Sequence, residues 1–146
     1  MTSNRGFSLV EVLISIFIVV LSGVGTLKLY SYIEVEKANA GLFVKAAYIS
    51  ERQIAMLQSF NTIGSSCADR TLADITDCKL SLESGSPFSI VLNAASGGVF
   101  KSNNDTGAEV TYAKVLTVSV SWNDRSGSLK NLSIPVSVSK YTNLLN

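Results

Sequence analysis

One long apolar run dominates the first quarter of the chain. Residues 12–27 contain no charged side chain, and extending the run back to Phe7 adds only Glu11. A helix rises about 1.5 Å per residue, so residues 7–27 would extend about 31 Å, close to the roughly 30 Å hydrocarbon core of a bilayer. The pattern predicts a helix that spans a membrane.

Two other interpretations of this run stay open. A cleaved secretory signal peptide also has a basic start and an apolar core, and residues 23–25 (Gly-Val-Gly) fit its small-residue cleavage site. The second interpretation is a buried core helix of a soluble protein, although no comparable helix follows in the sequence to cover it. Arg5, with no acid among residues 1–10, predicts a cytoplasmic N-terminus and a chain that faces the periplasm after about residue 28.

The helical pattern continues beyond the run as an amphipathic segment. Residues 31–59 contain no proline and mix charged with apolar side chains. One stripe recurs at helical spacing, with a single polar member: Ala40, Phe43, Ala47, Ser50, Ile54 and Leu57. We expect this stripe to pack on a sheet and the helix to stop within residues 61–66.

The C-terminal half alternates between apolar and small polar residues, as half-buried strands do. Strands are expected at residues 87–92, 110–122 and 132–138, with 123–128 as a hairpin turn. Pro135 cannot donate a ladder hydrogen bond, which places the last strand at an edge. Residues 94–98 and 101–107 have the composition of exposed turns. One long helix on a small antiparallel sheet is an α+β fold.

The amino-acid composition excludes most kinds of catalytic site. The chain has no histidine and only two cysteines, which excludes histidine-based nucleophile sets, histidine zinc sites and four-thiolate metal sites. Twelve Lys and Arg nearly balance eleven Asp and Glu, so we expect no direct contact with nucleic acid. The sequence predicts a protein that is not an enzyme and that uses neither a metal nor a cofactor.

The two cysteines, Cys67 and Cys78, enclose ten residues. In an oxidising compartment a disulfide between them is the expected state, and their spacing is not that of a redox pair. Asp69, Asp74 and Asp77 lie in the same loop, but they lack the ligand spacing of a calcium-binding EF-hand loop. We expect a solvated loop.

Glu11 is the one charge in the apolar run. A carboxylate inside a bilayer costs on the order of 2.5–3.5 kcal/mol, and such groups are usually paired. No Lys or Arg lies between residues 6 and 27. The partner of Glu11 must therefore be an amino terminus, another molecule or a proton.

The segment from Gly6 to Ile14, Gly-Phe-Ser-Leu-Val-Glu-Val-Leu-Ile, resembles the processing signature of type IV prepilins and pseudopilins. The resemblance implies that a prepilin peptidase cuts between Gly6 and Phe7 and methylates the new amino terminus of Phe7. The amine so created is cationic and lies four residues, about one helical turn, from Glu11. Glu11 can pair with this amine or with that of a neighbouring subunit, and so sets the register of assembly.

The resemblance also implies a domain layout. A leader peptide occupies residues 1–6, a transmembrane and filament-core helix residues 7–29, and a periplasmic globular pilin domain residues 30–146. Within that domain the expected parts are an amphipathic helix at 30–60, a disulfide loop at 67–78 and an antiparallel sheet at about 80–140.

Within the family, three segments are most similar to minor pilins of the PilV, or pilus-modification, type: the leader, residues 10–14 (Val-Glu-Val-Leu-Ile) and residues 118–124 (Val-Ser-Val-Ser-Trp-Asn-Asp). The implied role is in priming pilus assembly or in the tip complex, with other major and minor pilins, prepilin peptidase and the inner-membrane assembly platform as partners. The implied location is the bacterial inner membrane, as a single-pass protein, and then the pilus at the cell surface.

Two alternatives remain. A minor pseudopilin of a type II secretion system or a competence pseudopilus shares every feature named above. A secreted β-rich adhesin with an ordinary signal peptide is the alternative from a different class of protein.

Overall fold

The computed structural model describes residues 8–60, Cys67 and residues 70–140. One helix, α1, spans Leu9–Gln58, and three strands follow: β1 (Phe88–Asn103), β2 (Glu109–Asn123) and β3 (Leu129–Ser139). The strands form one antiparallel sheet in the order β1-β2-β3. The predicted α+β class is confirmed. The predicted helix stop at residues 61–66 lies outside the described residues.

The chain divides into two compact units. The first ends at Ala40 and the second begins at Gly41, so α1 contributes to both. The second unit holds the sheet and the hydrophobic core, in which Ala46 and Leu57 of the helix lie among apolar residues of the strands. The C-terminal part of α1 thus packs on the sheet.

The buried face of α1 differs in part from the predicted stripe. Ser50 and Leu57 are buried as expected, but Phe43 remains 51% exposed. Gln53, which the stripe omits, is completely buried. The prediction counted apolar side chains, and this stretch of helix carries them on more than one side. Contact with the sheet buries only one narrow face of the helix.

The central strand β2 follows its predicted alternation. Its inward side chains are buried over five alternate positions: Lys114, Leu116, Val118, Val120 and Trp122. The opposite face is lined by hydroxyl groups that bond across the strands, with Ser89 and Ser121 oxygens 2.7 Å apart and those of Ser119 and Ser133 2.9 Å apart. Among the described residues, the sheet is therefore covered on one face only.

Strand β1 is much longer than predicted. Instead of a turn at residues 94–98, the strand continues: Ala94 pairs with Leu116 and Val99 with Lys114, and residues 95–98 form an irregularity between these two pairs. A Cβ on Gly98 would lie 2.9 Å from the Cβ of Val115, so glycine allows this close approach. The predicted turn at 101–107 is confirmed in part: residues 101–103 continue the ladder, which ends at Asn103, and residues 104–107 form the turn. Pro135 lies in edge strand β3, opposite Thr117, as expected.

Both hairpins close with turns of the same construction. The Asn104 side-chain oxygen accepts backbone N–H bonds from Thr106 and Ala108 at 3.1 and 2.8 Å. The Asp124 carboxylate accepts the equivalent bonds from Ser126 and Ser128 at 2.9 and 2.8 Å. In each turn the residue three positions later is a glycine with positive φ, 79° at Gly107 and 81° at Gly127, a conformation that glycine adopts without strain.

The disulfide loop is more deeply packed than a solvated loop. Cys67 and Cys78 are joined, with their Cα atoms 5.8 Å apart. Leu72 and Ile75 between them are buried in the core. The buried Lys114 ammonium donates to the carbonyl oxygen of Ala73 at 3.0 Å. Asp74 and Asp77 do remain exposed, as predicted, and Asp69 is outside the described residues.

Candidate functional site

The N-terminal part of α1 presents apolar side chains in every direction. From Leu9 to Ile33 the least exposed large apolar residue, Val12, still has 46% of its surface accessible. The helix is long and apolar enough to cross a membrane, and no residue of its most apolar stretch is buried. Such a surface is stable only against lipid or against other helices.

The hydroxyl groups within this stretch satisfy their own hydrogen-bonding needs. Ser15 donates to the carbonyl of Glu11 at 2.7 Å, Ser22 to that of Ile18 at 2.6 Å, and Thr26 to that of Ser22 at 2.7 Å. Because each O–H has a partner in the same helix, these side chains are tolerated in hydrocarbon.

All polar side chains between residues 8 and 27 lie on one side of the helix. At 3.6 residues per turn they fall within an arc of about 60°. The set, named the polar stripe below, is Ser8, Glu11, Ser15, Ser22 and Thr26. The sequence interpretation took Glu11 alone and missed the stripe. The signal that identifies the stripe is the helical period of the polar residues between 8 and 27.

Glu11 occupies the first turn of α1, and its backbone N–H donates to the Ser8 carbonyl at 3.0 Å. A carboxylate is favoured there by the positive end of the helix dipole. Within the described part of the chain, no cation or hydrogen-bond donor pairs with its side chain. The predicted cleavage and methylation positions, Gly6 and Phe7, lie outside the described residues.

Residues 1–27 match the family described as the prokaryotic N-terminal methylation motif. The chain therefore carries an N-terminal methylation motif. No curated protein and no solved structure matches the chain.

The methylation motif supports a prepilin-like substrate of the type IV pilin and pseudopilin kind, with pilin partners and prepilin peptidase processing in general. The match ends at Leu27, the last residue of the uncharged run, so the motif includes most of the exposed apolar surface. The two together fit single-pass anchoring in the inner membrane, and the motif indicates a structural subunit.

Proposed function

We propose that this chain is a minor pilin-like subunit of a type IV pilus, processed by prepilin peptidase and acting in assembly priming or in the tip complex. The observation that carries the proposal is the position of Glu11. Glu11 is the single charge of the apolar run at residues 7–27, it has no partner among the described residues, and it stands five residues after Gly6.

Processing supplies the missing partner. Cleavage after Gly6 turns the amide nitrogen of Phe7 into an amine, and methylation leaves that amine secondary and cationic. In a low-dielectric helix bundle an unpaired carboxylate is strongly unfavourable, whereas a carboxylate matched to an amine recovers much of its lost hydration energy. Only one stagger of neighbouring helices brings each Glu11 to an amine, so the pair selects the register of assembly.

The polar stripe favours the same packing. Small residues allow helix backbones to approach closely in an apolar medium, and hydroxyl groups can bond across helices. Ser15, Ser22 and Thr26 carry both properties down the Glu11 side of α1. We therefore place the stripe, with Glu11 at its N-terminal end, against the helix of a neighbouring subunit in the filament core.

The topology that goes with this function has residues 1–6 in the cytoplasm, residues 7–29 in the inner membrane and residues 30–146 in the periplasm before extraction into the pilus. Arg5 before the apolar run supports that orientation. The disulfide between Cys67 and Cys78 supports an oxidising compartment for the second unit.

The decisive experiment expresses the full chain with and without a prepilin peptidase and determines the mature N-terminus by mass spectrometry. We expect a chain that begins at Phe7 with one added methyl group, and unprocessed protein when the peptidase is omitted. A chain that begins after Gly25 would overturn the proposal in favour of an ordinary signal peptide.

Deleting the gene for this chain in its host then distinguishes a role in the pilus from that of a minor pseudopilin. Loss of surface pili, with secreted enzymes still exported, supports the pilus assignment. Loss of enzyme export with normal pili contradicts it and favours the secretion system.

A further inference from the structure

Three amphipathic side chains follow the apolar run directly. Tyr30 and Tyr32 each have 65% of their surface accessible, and Lys28 is exposed. All three lie on α1 within the first unit, immediately beyond the end of the polar stripe.

These side chains surround the helix instead of lining one face. At about 100° per residue, Lys28 and Tyr32 are on the same side, whereas Tyr30 is about 160–200° away from them. A protein partner contacts one face of a helix, but the boundary of a bilayer encircles it. Tyrosine rings prefer the headgroup level, and a lysine can extend its ammonium there while its stem stays in the hydrocarbon.

The spacing to Glu11 matches the thickness of a bilayer. Tyr30 and Glu11 are 19 residues apart on the same continuous helix, which corresponds to about 28 Å. The hydrocarbon core is about 30 Å thick. If the tyrosines lie at one boundary, Glu11 lies at the other, where its carboxylate reaches water.

We propose that Lys28, Tyr30 and Tyr32 form a girdle that binds the lipid headgroup boundary and sets the depth of α1 in the membrane. This inference rests on the membrane anchoring proposed above and adds what determines its depth. Glu11 is then hydrated in the stored subunit, and its need for a cation arises when the helix packs among other helices. The girdle, and not the Glu11 carboxylate, therefore determines how deeply α1 is inserted in the membrane.

The test uses the full chain in inner-membrane vesicles or liposomes. Its two cysteines are joined to each other, so one cysteine introduced at a time across residues 25–35 is the only free thiol. A membrane-impermeant maleimide then maps where labelling begins. We expect the boundary close to residue 30 in the parent chain.

Replacing both tyrosines by leucine (Tyr30→Leu with Tyr32→Leu) lengthens the apolar surface and should move the labelling boundary toward the C-terminus by about one turn, or about 3.6 residues. The double tryptophan variant should leave it in place, because tryptophan shares the preference for the interface. Glu11→Gln should leave it in place as well. Tyr48→Leu, at a tyrosine that is 59% exposed in the second unit, is the matched control.

An unmoved boundary in the double leucine variant overturns the girdle while leaving the membrane anchor intact. A boundary that moves in Glu11→Gln also overturns it, because the carboxylate would then set the depth. Uniform labelling across residues 25–35 in the parent chain would overturn both the girdle and the proposed membrane span.

Discussion

The side-chain amide of Gln53 makes two hydrogen bonds to the backbone where the chain leaves the disulfide loop. Its nitrogen donates to the carbonyl oxygen of Cys78 at 2.9 Å. Its oxygen accepts the backbone N–H of Leu80 at 2.7 Å. Gln53 is completely buried, so α1 supplies to this irregular segment the two hydrogen bonds that a neighbouring strand would supply. The contact ties the helix to the loop that follows it.

Replacing this amide should be strongly destabilising. Gln53→Leu removes the hydrogen-bond partner of the buried Cys78 carbonyl and of the half-buried Leu80 N–H, and an unsatisfied buried group costs about 1–3 kcal/mol. We expect a loss of at least about 2 kcal/mol in the free energy of unfolding, measured by urea denaturation of the detergent-solubilised chain. Gln58→Leu, at an exposed position of the same helix, is the matched control. Equal stability of the two variants would contradict the role of Gln53.

The disulfide between Cys67 and Cys78 closes a short loop, so it should stabilise the second unit by about 2–3 kcal/mol in the chain-entropy model. The double serine variant should unfold at correspondingly lower urea concentration, and reductant should weaken the parent chain but not the variant. Peptide mapping of periplasmic protein without reductant checks the link directly. Two free thiols there would contradict it.

Acid should weaken the second hairpin turn but not the first. The Ser126 hydroxyl, followed by the backbone N–H groups of Ser128 and Ser126 and by the Lys130 charge, holds the pKa of Asp124 below its ordinary value. A lowered folded-state pKa means that the stabilisation is complete above the unfolded value and is lost as the pH falls through the folded one. Asn104 makes the same backbone bonds without a titrating group.

Asp124→Asn therefore keeps the turn and removes its acid dependence. Urea midpoints measured between pH 6 and pH 2 should fall less steeply for this variant than for the parent chain. The converse change, Asn104→Asp, should make the dependence steeper. Parallel pH profiles for all three proteins would be inconsistent with the assigned role of Asp124.

Glu11→Val removes the only charge of the apolar run without touching the cleavage site. The variant should be cut after Gly6 as efficiently as the parent chain, yet it should be absent from sheared pili, because no carboxylate selects the stagger. Mass spectrometry and immunoblots of the pilus fraction report the two steps separately. Val12→Glu in the Glu11→Val background moves the charge by one position and should not restore entry. Wild-type levels in pili for Glu11→Val would refute the register role.

A bulky residue before the cut should block processing itself. Gly6→Leu is expected to leave a full-length, membrane-retained chain, because the proposed cut directly follows Gly6 and a bulky side chain there would hinder the peptidase. Electrophoretic mobility and the N-terminal mass measure this. Ser3→Leu, within the proposed leader, should be processed normally.

The features that the sequence predicted well depend on neighbours along the chain. The membrane-length helix follows from an unbroken apolar run, and the alternation on β2 and β3 follows from a repeat of two, so each can be recognised within a short window. Pro135 at the edge of the sheet follows from a missing N–H. The polar stripe can be predicted from the sequence in the same way, because only the helical period is needed to recognise it.

The rest was decided by contacts between distant segments. Residues 94–98 have turn composition, but β1 resumes its pairing with β2 at Val99 after an irregularity, and Gly98 permits the close approach of the two strands. Gln53 can be buried because its amide forms hydrogen bonds with the backbone of Cys78 and Leu80, which lie more than twenty residues away in the sequence. A polar side chain gains from burial only when its partners are already in place, and only the tertiary structure brings those partners to the helix.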